Sequence, residues 1–412
     1  MVRNHPISIL TGGPGTGKTF TVRLILEWAI SRNMMVYQAA PTGKAAKRML
    51  EATGHSATTI HAMLQCVFEH GFFRFYYGKD NPLPADLIII DEVSMISLDL
   101  MASLIQAIDL KRTKLVLIGD QDQLPSVGPG AVLRDILTAG TIPHTELTKT
   151  FRNCGEIVRA CHLIKAGKVY TPHKKFDLTA EDPINLIHIE RTDPAATKEA
   201  VIGLATDILP SKYGFDPIND IQVISPVNES GELSCKSLNE AIREKLNPIP
   251  KDVVFDESDN IWTYTFRPGD RVINTKNTKV TTTDGREDNI VNGDLGIVDT
   301  VGKSELTIMF QDPERWVSIS RKDQNLLHAY CITCHRFQGS EAPVVIIPVH
   351  RQFDLFLSNS WIYTAISRGK TAVITVGRWG TIERAIRNRK PNNRLTRLIP
   401  EIYKAEDDRY DI

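Results

Sequence analysis

Apolar residues follow two rhythms along this chain. Short unbroken runs, "ISIL" at Ile7–Leu10, "LIII" before Asp91 and "KLVLIG" before Asp120, read as strands buried on both faces. After the first run, an amphipathic helical spacing continues to about Ser31. Strands alternating with helices predict an α/β chain on a mostly parallel, doubly wound sheet. Residues 248–328 change character: β-branched runs and the turn pairs Asp284-Gly285 and Asn292-Gly293 predict a strand-rich insertion. A second insertion, at about 65–85, sets Phe72, Phe73, Phe75, Tyr76 and Tyr77 around one arginine and ends in N-P-L-P.

Composition narrows the class without deciding it. The 412 residues are 42% hydrophobic and 24% charged, enough for two to four units that each bury a core. Forty-nine basic residues against 49 acidic ones argue against a broad surface that coats a polyanion, so such a partner would lie in a local groove. No run of eighteen apolar residues and no secretory leader occurs, and the expected setting is the cytoplasm, with no membrane partner.

Chemistry appears first at Gly12–Thr19, "GGPGTGKT", between a strand and a helix. Glycines there let backbone N–H groups converge on phosphate oxygens, helped by the positive end of the helix. The expected cradle is Gly13, Gly15, Thr16 and Gly17, with Lys18 reaching the β- and γ-phosphates and Thr19 holding Mg²⁺. Asp91, at a strand tip, is the second expected Mg²⁺ holder, and Glu92 the group that orients and deprotonates water. Gln123, in the loop after Asp120, is a neutral group suited to sensing the γ-phosphate. One stretch points elsewhere: "CITCH", Cys331–His335, spells a c-type haem attachment site. No export signal accompanies it, and no second ligand pair is spaced for zinc.

Nine stretches in order settle that conflict. "GGPGTGKT", "APTGKAAKRM", "ATTIHAML", "DEVSM", "GDQDQLPSVGPG", "LTKTFRN", "VNGDLGIV", "CITCHRFQGSE" and "YTAISRGK" resemble the motifs of superfamily 1B DNA helicases, RecD-like and Dda-like. In that register the cysteines fill small or variable positions, so haem and zinc are not expected. Arg336 stands where the family commonly has lysine.

The resemblance implies two RecA-like motor domains, 1–143 and 144–247 with 329–412, and ATP between them. It implies a β-hairpin pin at 65–85 and an SH3-like barrel at 248–328. Arg152 and Arg368 should reach across to the phosphates, and Gln338, Gly339 and Glu341 should border the nucleotide. Single-stranded DNA should cross Thr42, Lys44, Thr59, His61, Phe75, Asn292, Thr333 and His335. The hairpin rings have two open readings, a wedge at an ss/ds junction or a self-packed mini-core; the barrel could close over DNA or be structural decoration. Only eleven residues precede Gly12, and they lack the glutamine element by which relatives read adenine, so base selectivity stays open. The implied activity is 5′-to-3′ unwinding by a functional monomer. The alternative is a P-loop ATPase that clamps or remodels nucleoprotein without strand separation.

Overall fold

The structure, a computed structural model, describes all residues except 70–71, 150–154, 250–264, 303, 312, 321–324, 390–393, 395 and 411–412; side chains 68–69, 72–73 and 406–410 are also left undescribed. The first sheet holds β1 (Ile7–Gly12), β2 (Val36–Ala40), β3 (Thr58–Thr59), β6 (Leu87–Ile90), β7 (Lys114–Gly119) and β8 (His144–Leu147). Their order is β3-β2-β6-β7-β1-β8, every pair parallel. A hairpin of β4 (Cys66–Glu69) and β5 (Phe72–Phe75) projects between β3 and β6.

The unbroken apolar runs are explained by what covers them. In β6, Ile88 and Ile90 enter one core with Met101, Leu104 and Val132, while Leu87 and Ile89 enter another with Val22, Ala29 and Met49. Successive side chains point to opposite faces, so a strand covered on both sides has no polar position to spare.

A second parallel sheet repeats this plan. It contains β9 (Leu186–Glu190), β10 (Ile221–Ser225), β18 (Cys331–Thr333), β19 (Ala342–Val349) and β20 (Gly369–Gly377), in the order β18-β10-β19-β20-β9. Between β10 and β18 lies a five-stranded antiparallel sheet, ordered β16-β15-β14-β11-β17. Its strands are β11 (Arg271–Asn274), β14 (Leu295–Val301), β15 (Glu305–Phe310), β16 (Arg315–Ser320) and β17 (Leu326–His328). The hairpin β12 (Thr278–Thr281) and β13 (Glu287–Ile290) flanks it, and it has its own core of Val272, Val298, Leu306, Ile308, Phe310 and Val317.

Two segments expected in the second unit belong to the first. Strand β8 pairs with β1 from Ile9↔His144 to Gly12↔Leu147, so residues 144–147 complete the first sheet. The last helix, Leu398–Tyr410, also returns to the first unit, where Leu398 and Ile402 pack on its core. No helix among the described residues is long and apolar enough to cross a membrane.

Candidate active site

Strand β1 ends in a loop that feeds helix α1 (Lys18–Ile30). Gly15 and Gly17 take φ of 69° and 88°, a region costly to residues with a Cβ, and the turn thereby brings its amides to the start of α1. The Lys18 ammonium donates to the carbonyls of Gly12 (2.7 Å) and Gly13 (2.9 Å). Thr16 donates to Gly13 O at 2.8 Å and is buried; Thr19 is exposed.

This loop forms one wall of a cavity of about 660 Å³. Gly15, Thr16, Gly17, Lys18, Thr19, Asp91, Glu92 and Gln123 line it from the first domain, and Gly339, Glu341 and Arg368 from the second. Gly13 faces a smaller cavity behind the loop, about 210 Å³, beside Leu147, Cys161 and Tyr363. Gln338 does not line the larger cavity: its buried amide donates to Leu124 O (3.2 Å), and it lines a different groove. Arg152 lies outside the described residues.

Arg368 is 4% exposed. Its guanidinium donates to Thr364 O (3.2 Å), Ser340 O (3.3 Å) and Ser367 Oγ (3.5 Å), and among the described residues no carboxylate pairs with it. A buried cation held only by dipoles is costly, and an anion in the cavity would offset that cost.

Opposite it, Glu92 adopts φ 52°, ψ 41°, left-handed backbone unusual for a residue with a side chain. Its amide donates to Asp91 Oδ1 at 2.8 Å, which helps hold the turn. Strain of this kind, on the order of 1–3 kcal/mol, persists where surrounding contacts over-determine the backbone. Asp91 is pushed up to about 6 by burial, with the Glu92 charge adding to it.

The seam is closed by contacts the sequence did not single out. Tyr363 donates its hydroxyl to Asp120 (2.8 Å), and the Leu124 amide donates to Thr364 Oγ1 (2.9 Å). Arg48, on helix α2 (Gly43–Thr53), donates to Gly339 O and pairs with Glu341 at 3.4 Å; Lys370 lies 3.6 Å from the same carboxylate.

A charge cluster sits beside the seam: Lys165 meets Glu146 at 2.6 Å and Asp122 at 3.2 Å. Burial, reinforced by the Asp120 charge, pushes the Asp122 carboxyl up to about 6. Its folded pKa exceeds the unfolded value near 3.9, so the folded state prefers protonated Asp122. That contribution is complete below about pH 4 and is lost as pH rises through 6. Asp122→Asn is therefore expected to gain up to about 3 kcal/mol of stability at pH 8 relative to its effect at pH 4. Thermal unfolding at both values checks this, and an equal effect at the two would refute it.

Helix α2 also borders a groove of about 570 Å³, lined by Thr42, Lys44, Thr59, His61, Asn292 and His335 together with Met95, Asn277 and Arg336. Thr42 and Thr59 cap their helices, accepting from Ala45 N (3.2 Å) and Ala62 N (3.1 Å), so each hydroxyl keeps its proton to donate. Burial lowers the His61 pKa, which favours the neutral ring. Lys44 donates to Gly293 O at 3.0 Å, and Lys47 meets Asp294 at 3.4 Å, so the turn before β14 is docked on α2. Gly43 is required there, since an added Cβ would lie 2.6 Å from Val291 Cβ.

Two expected groove residues are placed otherwise. Thr333 is not on the groove; its Oγ1 accepts from Arg336 N at 3.5 Å, within the turn that presents His335 and Arg336. Phe75 packs on the first core, its ring 6.1 Å from His61, because alternation after β5 turns Phe75 and Tyr77 inward. Among the described rings of this segment, Tyr76, 65% exposed, faces outward. Cys331 and Cys334 lie in separate hydrophobic cores, so the C-x-x-C pair does not converge on a common point.

Two RecA-like domains of parallel sheet, with a P-loop at their shared cavity, define a P-loop helicase fold. A family model described as an AAA domain matches residues 1–129, and one described as a UvrD-like helicase C-terminal domain matches 328–376. The ATP-dependent RecD2 DNA helicase of Deinococcus radiodurans is 32% identical over 377 residues, covering 90% of this chain and 47% of that protein. The RecBCD enzyme subunit RecD of Mycolicibacterium smegmatis is 29% identical, covering 92% and 70%. The chain thus spans about half the length of the first of these relatives. Pif1 helicase from Candida albicans superposes with a TM-score of 0.53 at 18% identity, covering 98% of this chain and 96% of that one. Across most of its length the chain is similar to RecD-like helicases of superfamily 1B.

Proposed function

We propose that this chain is an ATP-dependent DNA helicase that translocates 5′ to 3′ on single-stranded DNA and unwinds duplex. The observation that carries the reading is the cavity shared by Lys18 from one domain and Arg368 from the other. A nucleotide bound there ties domain closure to its triphosphate. The loop amides and Lys18 hold the β- and γ-phosphates. Thr19 and Asp91 are an oxygen donor set of the kind Mg²⁺ takes; they would hold the ion, which would supply charge neutralisation for the triphosphate. Glu92 accepts the proton of the attacking water, Gln123 senses the γ-phosphate, and Arg368, with Arg152 as expected second partner, offsets transition-state charge.

Single-stranded DNA fits the groove over α2, where hydroxyls, Lys44 and Arg336 suit phosphate oxygens and carry no sequence information. Helix α2 joins the two sites, with Lys44 at the groove and Arg48, one turn on, at the cavity. Closure around ATP therefore shifts the groove residues, and an affinity difference between open and closed states converts hydrolysis into movement. The antiparallel sheet acts as an SH3-like insertion docked over the strand, and the aromatic hairpin as the pin, with Tyr76 an exposed ring among those described. The motor domains are 1–147 with the last helix, and about 155–247 with 329–389. The relatives named for RecBCD and for RecD2 favour recombination and repair as the setting, and a monomer suffices for the cycle.

Strand displacement on duplexes carrying a single tail tests this reading. ATP should drive unwinding from the 5′ tail. Unwinding only from the 3′ tail would reverse the polarity, and DNA-stimulated ATPase with no displacement on either substrate would favour the clamp alternative.

A further inference from the structure

The basic run near the end of the chain has no role in the site described above, yet one of its arginines grips a turn that continues a loop of that site. The second domain releases the chain at Asn388 and Arg389: Asn388 O accepts from Asn359 N (2.9 Å), and Arg389 donates to Lys165 O (2.6 Å). Five residues later Arg394 is anchored on the first domain, donating to Gly128 O (2.7 Å) and Gly130 O (2.9 Å). Thr396 then donates to Asp135, and Leu398 and Ile402 pack on the first core. Five residues span at most about 18 Å, so this crossing tethers the two domains closely at one edge.

The turn that Arg394 grips continues the loop carrying Gln123. Leu124, next in that loop, bonds to Thr364 and Gln338 of the second domain. Ser126 donates to Gly128 O, and Leu98 N donates to Pro129 O. The loop is therefore held at its start by the second domain and at its end by Arg394. We propose that Arg394 is a positioning residue for ATP hydrolysis, fixing the Gly128–Gly130 turn so that Gln123 stays aligned with the cavity as the domains close. This rests on the ATPase reading above. Arg394 also contributes, after burial, to lowering the pKa of groove residue His335, so a direct contact with DNA is the competing role.

The test compares wild type, Arg394→Ala and Arg394→Lys in the full chain, with and without a poly-dT oligonucleotide. For Arg394→Ala, assayed well below its Tm, kcat with DNA should fall about tenfold, while KM for ATP and affinity for the oligonucleotide hold. Arg394→Lys, which keeps charge and donors, should recover most of the rate. An unchanged kcat, a loss that tracks a lowered Tm, or weakened oligonucleotide binding at unchanged kcat would each overturn the proposal. A wild type whose turnover ignores the oligonucleotide would sink the translocation reading instead, leaving the Arg394 comparison to be read on the DNA-independent rate.

Discussion

Arg368→Ala should lower ATP turnover by at least about 10³-fold, some 4 kcal/mol of transition-state stabilisation, with nucleotide affinity changed far less. The guanidinium enters the cavity from the second domain, is almost fully buried, and has carbonyl and hydroxyl partners where a structural arginine would have carboxylates. Such a charge is best compensated when the γ-phosphoryl group develops negative charge beside it. Truncation also frees the Thr364 and Ser340 carbonyls, so a destabilisation of about 1–3 kcal/mol is expected alongside. Arg368→Lys separates the two effects: it keeps the charge while losing the planar fork, and should recover stability before it recovers rate. Steady-state ATPase and thermal unfolding on the same preparations check this. A fully active Arg368→Ala would refute the cross-domain role.

Glu92→Gln should cost about 10² to 10⁴ in turnover while leaving ATP binding intact. The substitution preserves side-chain length and the same left-handed backbone, so it removes a proton acceptor without relieving strain. Bound nucleotide then persists unhydrolysed, and the closed state it stabilises should hold single-stranded DNA with a changed affinity. Single-turnover hydrolysis against equilibrium nucleotide binding separates these quantities. Equal losses in both would mean that Glu92 supports the loop and does not act on water.

The parts legible in the sequence are those dictated by local chemistry. The phosphate loop needs glycines at Gly15 and Gly17, and strands buried on both faces need runs such as Leu87–Ile90, so both appear as patterns. The carboxylates follow because a parallel strand delivers whatever stands at its tip. What escaped depends on distant partners. Strand β8 is an edge strand with exposed side chains, so "HTEL" carries no hydrophobic signal. Arg48 was visible inside a motif, but only the approach of Gly339 and Glu341 gives it a place at the cavity. Phe75 is expected on the DNA track while wedge and mini-core stay open for the hairpin rings, because composition shows aromatics and only alternation against the core decides which way each ring faces. The return of the last helix to the first domain is set by tertiary packing on Val132–Ala139, which no local rhythm encodes.

Photo-crosslinking with an ATP analogue that carries its reactive group on the γ-phosphate tests the shared cavity most directly. Labelled peptides are expected from both domains, one set spanning Asp91 to Gln123 and the other Gly339 to Arg368. Label confined to the first domain, or found away from both sets, would contradict a nucleotide held between Lys18 and Arg368.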